Sequence, residues 1–428
     1  MAVRAVRSAV AGPSFWRRSA GGVLVADPTQ LPEATSPGQT RSGTYGRSLS
    51  AGQTYVDPVS GVTVLKVTSS TVPISNSGVS HGYATSGPRC SQPWVDGGDG
   101  HTKYTLCLDF IGYFVDIDYE DFQAENFRDA GAAAGPGDAG MAFSLHPSTP
   151  QRSYALNSGI IRAYSTITGS EITPTGFPFD PAGAGSLNWL QTQLNDTWFA
   201  YMSGTEYRGY KPSTGTERAM TQARSGFTHD ELHIDLLNPY VYMSVDDDAG
   251  ANAPWNLEAD TFDASPDSQT VNGPMSDDHC APGRGYVVGT AHFASQGGGC
   301  YVYRADTDVA VQIIEGSANY HDAASDFYTN ANWCRDLRPE MSVPADLWHL
   351  TSKENQDDAD AKVRQYAMAL VKNDGSSVRI VGHHDSSGSV YDRFSKAMLS
   401  PDGKLVIFTS DMNGSSRWDV FVAKMPVS

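Results

Sequence analysis

Three stretches of this 428-residue chain can be laid over one another: Asn188–Ser203, Glu231–Ser244 and Arg393–Ser410. Registering Leu194 on Leu237 and Leu399 also registers Trp189 on Leu232 and Phe394. In each stretch a short strand-like run ends at a tight-turn signal (Asn-Asp, Asn-Pro or Ser-Pro-Asp-Gly), and an apolar run begins after it. Pro, Asn and Asp preset the turn, while the Tyr, Val, Ile and Phe that follow favour a strand. Similar strand pairs recur within 103–119, 154–168, 285–314, 365–381 and 404–424. Together with the three stretches they recur along residues 103–424, and a period of about 40–50 residues with four short strands per unit is the signature of propeller blades. The count predicts an all-β, seven-bladed β-propeller, with six blades as the alternative count. An open β-sandwich or two β domains is the competing architecture. Tyr55–Thr68 reads as an extra strand ahead of the first blade, placed to pair with the last blade and close the ring. Closure would remove open sheet edges.

Composition agrees with a loop-rich β protein. Charged residues make up 18% of the chain and Gly numbers 42, which argues against a helical bundle. The formal charge of −18 excludes a general nucleic-acid binder, because phosphate binding needs a net basic face. The charge is unevenly spread. Residues 1–50 hold six arginines against Asp27 and Glu33, a balance of about +4, leaving about −22 for the remainder. The predicted organisation is therefore an extended basic arm over 1–50 and a propeller over 51–428. Arg4, Arg7, Ser8, Ser14 and Arg17–Arg18 interrupt any apolar run in the first 22 residues, so no classical signal-peptide pattern is expected. No stretch approaches the ~20 apolar residues of a membrane helix, so no membrane insertion is expected. Arg4, Arg7, Trp16, Arg17 and Arg18 are the candidate anchor to a partner protein. Five cysteines without a Cys-x-x-Cys pair read as buried thiols.

One resemblance is specific enough to name. Leu399-Ser-Pro-Asp-Gly-Lys-Leu-Val-Ile-Phe-Thr-Ser410, followed by Trp418–Lys424, resembles a blade of the TolB-type propellers. Asp57–Thr68 and Ser80–Thr85 are similar to the opening of propellers of the oligogalacturonate-lyase and ulvan-lyase kind. The likeness runs loosely over residues 54–428, and such motifs report a fold that hosts many functions.

Inner strands of a propeller line a central channel, and loops at one face form the binding mouth. His81 and Tyr83 precede blade one, His229, Glu231 and His233 precede blade four, and Arg393 leads into blade seven. On a regular strand residues 229, 231 and 233 share a face, so they form a candidate channel-lining cluster. The spacing His229-Asp-Glu-Leu-His233 is not that of a zinc protease, whose His-Glu-x-x-His needs a helix. Lyase chemistry needs a base, an acid and a cation that neutralises a uronate carboxylate, roles that His, Tyr and Arg can fill. The resemblance implies His/Tyr/Arg sets and, for oligogalacturonate lyases, a metal on several His. Here Tyr391-Asp-Arg-Phe-Ser-Lys396 stands where a His-rich stretch would be, and adjacent His383 and His384 would face opposite ways. No cofactor is therefore expected, and no metal site. Acidic runs at 246–248, 277–278 and 357–360 lack calcium-loop spacing. Trp94, Trp255, Tyr320, His321 and Trp333 are candidates for a glycan-binding rim, because aromatic faces stack on sugars.

Two functional classes fit. The favoured expectation is a non-enzymatic recognition or structural module of a larger extracellular assembly, most simply a bacteriophage tail or fibre protein. It would bind partner proteins through residues 1–50 and a surface polysaccharide through the propeller, acting in a virion or outside the cell. The alternative is a polysaccharide lyase using His81, Tyr83, His229, His233 and Arg393 at the mouth.

Overall fold

A computed structural model describes residues 26–34, 45–81, 89–108, 111–135, 140–181, 187–204, 206–221, 229–245, 254–262, 281–291, 299–304, 309–315, 327–330, 348–353, 366–387, 395–412, 414 and 416–428. It is an all-β fold of seven antiparallel sheets. Strands β1 (Thr54–Val56) and β2 (Thr63–Lys66) open the chain. Blade 1 follows with β3 (Trp94–Val95), β4 (Thr102–Leu108), β5 (Tyr113–Asp118) and β6 (Gln123–Asp129). Blade 2 holds β7 (Met141–Phe143), β8 (Arg152–Asn157), β9 (Ile160–Ser165) and β10 (Glu171–Ile172). Blade 3 holds β11 (Leu187–Thr192), β12 (Phe199–Ser203), β13 (Glu206–Lys211) and β14 (Thr216–Thr221). Blade 4 holds β15 (His229–Ile234), β16 (Tyr240–Val245), β17 (Trp255–Asn256) and β18 (Thr261–Phe262). Blade 5 holds β19 (Ala281–Pro282), β20 (Val287–Ala291), β21 (Gly299–Arg304) and β22 (Val309–Glu315). Blade 6 holds β23 (Phe327–Asn330), β24 (Trp348–Lys353), β25 (Ala367–Lys372) and β26 (Val378–His383). Blade 7 joins β27 (Met398–Leu399), β28 (Leu405–Ser410) and β29 (Asp419–Lys424) to β2 and β1.

The first strands of neighbouring blades touch in sequence, β7 with β11, then β15, β19, β23 and β27, so they surround the axis of a propeller. The three repeated stretches of sequence correspond to the first hairpins of blades 3, 4 and 7. In blade 7 the turn is built by Asp402, whose carboxylate accepts from Ser400 Oγ at 2.8 Å, and by Gly403, whose φ of +73° suits a residue without Cβ.

Among the described residues, apolar cores fill the space between blades 1 and 2, 2 and 3, 3 and 4, 5 and 6, 6 and 7, and 7 and 1, which explains why the strands read as apolar runs. Along β28, Val406 and Phe408 join a core with Leu350, Met368 and Leu370 of blade 6, while Leu405 and Ile407 join Tyr104, Leu106 and Val115 of blade 1. The period of two is intact, but both faces are buried. β12 repeats this, with Phe199 and Tyr201 against blade 2 and Ala200 and Met202 against blade 4.

The ring closes as the sequence predicts. β2 pairs antiparallel with β29 in the register Thr63–Lys424, Val64–Ala423, Leu65–Val422 and Lys66–Phe421. Val64 enters the core toward blade 6 and Leu65 the core toward blade 1. Residues 26–34, placed in the arm by the sequence reading, lie against the propeller. Asp27 N donates to Pro426 O at 2.8 Å, Ala34 N to Val378 O at 2.9 Å, and Ile380 N to Pro32 O at 3.0 Å. This strap crosses from blade 7 to the outer strand of blade 6 and buries Ala26 and Leu31. The anchor candidates Arg4, Arg7, Trp16, Arg17 and Arg18 lie outside the described residues.

Because Leu65 is fully buried in the strand that closes the ring, Leu65→Ala should cost about 2–5 kcal/mol. Val56→Ala, at a position 58% exposed in the same hairpin, should stay within about 0.5 kcal/mol. Paired urea melts measure both.

Candidate functional site

The two ends of the axis differ. At the end where first strands turn into second strands, Leu145, Leu194, Leu236, Leu399 and Pro401, with Arg284 among them, leave a cavity of about 10 Å³, room for roughly one water. Hydrogen bonds stitch this plug from blade to blade. Gln92 Nε2 donates to Leu145 O at 2.8 Å, Leu145 N to Asp196 Oδ1 at 3.2 Å, Leu194 N to Leu236 O at 3.0 Å, and Leu236 N to Gly283 O at 2.9 Å. Gln193 Nε2 donates to Asp235 O at 2.9 Å, and Asp235 Oδ1 in turn accepts from Gly285 N at 3.0 Å. Among the described residues this end of the axis is closed.

At the opposite end a layer of buried polar groups spans blades 6, 7 and 1. His81 stands at its centre, 1% exposed. Its Nε2 lies 2.9 Å from Lys396 O and its Nδ1 2.9 Å from Thr409 Oγ1. A carbonyl can only accept, so Nε2 carries the proton and Nδ1 accepts from the Thr409 hydroxyl. Burial dominates and the charges of Lys396 and Arg89 add to it, outweighing the bond to Lys396 O and pushing the imidazole down to about 3. Lys396 and Arg89 are themselves buried, and Arg89 Nη1 donates to Met141 O at 2.6 Å in blade 2. Around them Ser395 Oγ donates to Ser352 Oγ at 2.8 Å, and Asp411 accepts from Ser387 N at 2.7 Å.

His81 is therefore a joint between blades 1 and 7. Both ring nitrogens are used by the protein, so the general-base role expected of it is not assembled in this arrangement. His233 is also fully buried and packs edge-on to Trp189 at 6.5 Å. The expected alternation of 229, 231 and 233 on one face is broken, because the register shifts between His229 and Leu232. A bulge of this kind inserts a residue and re-aims those beyond it. β11 carries the same shift between Asn188 and Gln191. His383 and His384 do turn to different partners, His383 toward Asp57 and His384 toward the Tyr366 ring. Trp255 is 1% exposed, with Nε1–H on Asp260 Oδ1 at 3.3 Å, so it seals blades 3 and 4 and presents no face to a sugar. Trp94 is half-buried and keeps an open side. Tyr83, Arg393, Tyr320, His321, Trp333 and the side chain of His229 lie outside the described residues.

One cluster escaped the sequence reading. Asp99, His101 and Asp118 converge beside Lys103 in blade 1. The Lys103 ammonium sits 2.9 Å from Asp99, 3.3 Å from Asp96 and 3.9 Å from Asp118, with Glu125 as a further partner. The chain's own ammonium sits among the carboxylates, so this geometry is a structural ion network, net negative overall. The signal was Asp-x-His-x-Lys over the first turn of blade 1, legible only once Asp118 was known to be adjacent.

No family model and no curated protein matches this chain. Among solved structures it is similar to an oligogalacturonate lyase from Vibrio parahaemolyticus, with a TM-score of 0.54 and 12% identity over 88% of this chain and 99% of that one. It is also similar to the WD40 repeats of RRP9, with a TM-score of 0.41 and 10% identity over 79% of this chain and 95% of that one. At such identities the likeness to the lyase is one of fold.

The lowered His81, together with His349, which burial holds at about 4, gives stability a definite pH dependence. Unfolded imidazoles take up protons near pH 6.5 and the folded ones refuse them. The contribution is whole above that pH and is lost as pH falls from there through about 4 and then about 3. Urea midpoints measured from neutral pH downward should show this acid limb, and His81→Leu should flatten it.

Proposed function

We propose that this propeller recognises an acidic saccharide at the polar end of its axis, as a non-catalytic module of an extracellular assembly such as a bacteriophage tail or fibre. The observation that carries the reading is the placement of two buried cations, Lys396 and Arg89, beside a neutral His81 where the axis is lined by polar groups. Both cations already have partners within the fold, so what their placement supplies is a positive potential at this end of the axis. A uronate carboxylate is a partner of the right charge, and Arg and Lys suit its geometry. The strongly acidic body would repel such a polymer elsewhere, which confines binding to this end. The four arginines of residues 1–25, which hold no carboxylate, support docking of that part of the expected arm on an acidic partner of the assembly.

The second reading, β-elimination, draws on the fold likeness to an oligogalacturonate lyase. It needs a base within reach of the proton next to the carboxylate. His81, held near pKa 3 with both nitrogens bonded, does not supply one.

Calorimetry with oligogalacturonate, alginate, ulvan and capsule fragments, run beside ultraviolet detection of the unsaturated uronate, tests both. Saturable binding without unsaturated product is expected. Lys396→Met should weaken it roughly tenfold or more, the worth of one charge-assisted hydrogen bond, with thermal melting to confirm folding. Accumulation of unsaturated product would establish the lyase reading instead, and absence of binding across the panel would remove the recognition reading.

A further inference from the structure

On the closed side of the propeller, between blades 1 and 2, lies a groove of about 490 Å³. Trp94 forms one wall, and Phe127 and Ile167 supply apolar surface, Ile167 being 41% exposed. The wall is held rigidly. Trp94 Nε1–H points to Thr105 Oγ1 at 3.3 Å, and Thr105 donates to Asp116 Oδ1 at 2.8 Å. Asp116 takes both ends of the Arg128 guanidinium at 2.8 Å, and Arg128 Nε donates to Thr166 O of blade 2 at 2.7 Å. A half-buried indole and a planar fork are thus locked by one continuous chain of hydrogen bonds before any ligand arrives.

Polar capacity remains at the rim. The Gln151 amide makes no hydrogen bond to a described residue, and Asn126, whose Nδ2 donates to Asp116 Oδ2 at 3.3 Å, keeps its Oδ1 uncommitted among them. Asn126 sits at φ +51°, next to the register shift in the β5–β6 ladder that turns it and Phe127 toward the groove. An exposed aromatic face beside fixed amide donors and acceptors is the chemistry that holds a pyranose ring, whose C–H face is apolar and whose edge carries hydroxyls.

Charge selects among sugars. Asp96 and Asp116 line the groove with Arg128, and Asp99, Asp118 and Glu125 stand behind them around Lys103. Arg128 is already matched by Asp116 and Lys103 by its carboxylates, so the surroundings are net negative. A uronate or sulfate would meet repulsion there; an uncharged sugar would not.

We infer that the groove between blades 1 and 2 is a binding site for a neutral saccharide, with Trp94 as the stacking platform and Gln151 and Asn126 as hydrogen-bonding groups. It lies at the opposite end of the propeller from the acidic-saccharide site proposed above and does not depend on it.

The test is calorimetry of the full chain with neutral cello-, galacto-, manno-, xylo- and chito-oligosaccharides at up to millimolar concentration, backed by tryptophan fluorescence. At least one series should bind saturably. Trp94→Ala should raise its Kd tenfold or more, and Gln151→Ala, which removes no hydrogen bond to a described residue, should raise it several-fold, the worth of one stacking platform and one neutral hydrogen bond. Failure of every neutral series would overturn the inference. So would binding that both substitutions leave intact, or competition for the groove by an acidic oligosaccharide. A failure of acidic polymers at the other end would leave this result standing.

Discussion

The ladder between β2 and β29 is the contact on which the rest of the architecture depends. A propeller blade buries both its faces against neighbours, so a missing neighbour exposes a whole apolar sheet face rather than a single side chain. Here the last blade is completed by a strand that precedes the first, and Val64 and Leu65 of that strand face opposite cores. Four residue pairs therefore join an early strand to the last one and seat blades 6, 7 and 1 together. The strap at 26–34 strengthens the same junction from outside, pairing with Val427 and with the outer strand of blade 6. The polar layer around His81 sits at this junction, so the parts of the chain that close the ring also build the candidate site.

Much of this was legible in the sequence because it is local. The turn signals at Asn195–Asp196, Asn238–Pro239 and Ser400–Gly403 each mark a first hairpin, and the apolar runs after them are second strands. The extra strand was legible because Val-Thr-Val-Leu-Lys-Val stands too far ahead of the first blade to belong to it. The site was less legible. His81 looked like a free base, but whether an imidazole is free depends on Thr409 and Lys396, more than 300 residues away. The face shared by His229, Glu231 and His233 was read from ideal alternation, and the bulge that breaks it has no local Gly or Pro to announce it. Trp255, flanked by Pro254 and Asn256, looked exposed and is a seal between blades. The stitches from Gln92, Gln191 and Gln193 had no signal at all, since a glutamine near a strand end is ordinary until its neighbour is known.

The contrast between the two ends of the axis gives the molecule a direction. Leucines, Arg284 and hydrogen bonds to Asp196 and Asp235 plug one end, and His81, Lys396, Arg89 and hydroxyls gather at the other. A ligand bound at the polar end, as proposed, would need no path through the ring. The groove between blades 1 and 2 is of another kind, because it lies on the plugged side and is framed by acidic residues. A module with both would read a mixed polysaccharide at two places with opposite charge preferences.

Hydrogen exchange with and without oligogalacturonate tests the central claim most directly, because it reports where along the axis a ligand acts. New protection is expected in segments 80–81, 89–91 and 395–411 at the polar end, with no change around Leu145, Leu194 and Leu236. Protection confined to the plugged end, or none under conditions of saturating binding, would contradict it.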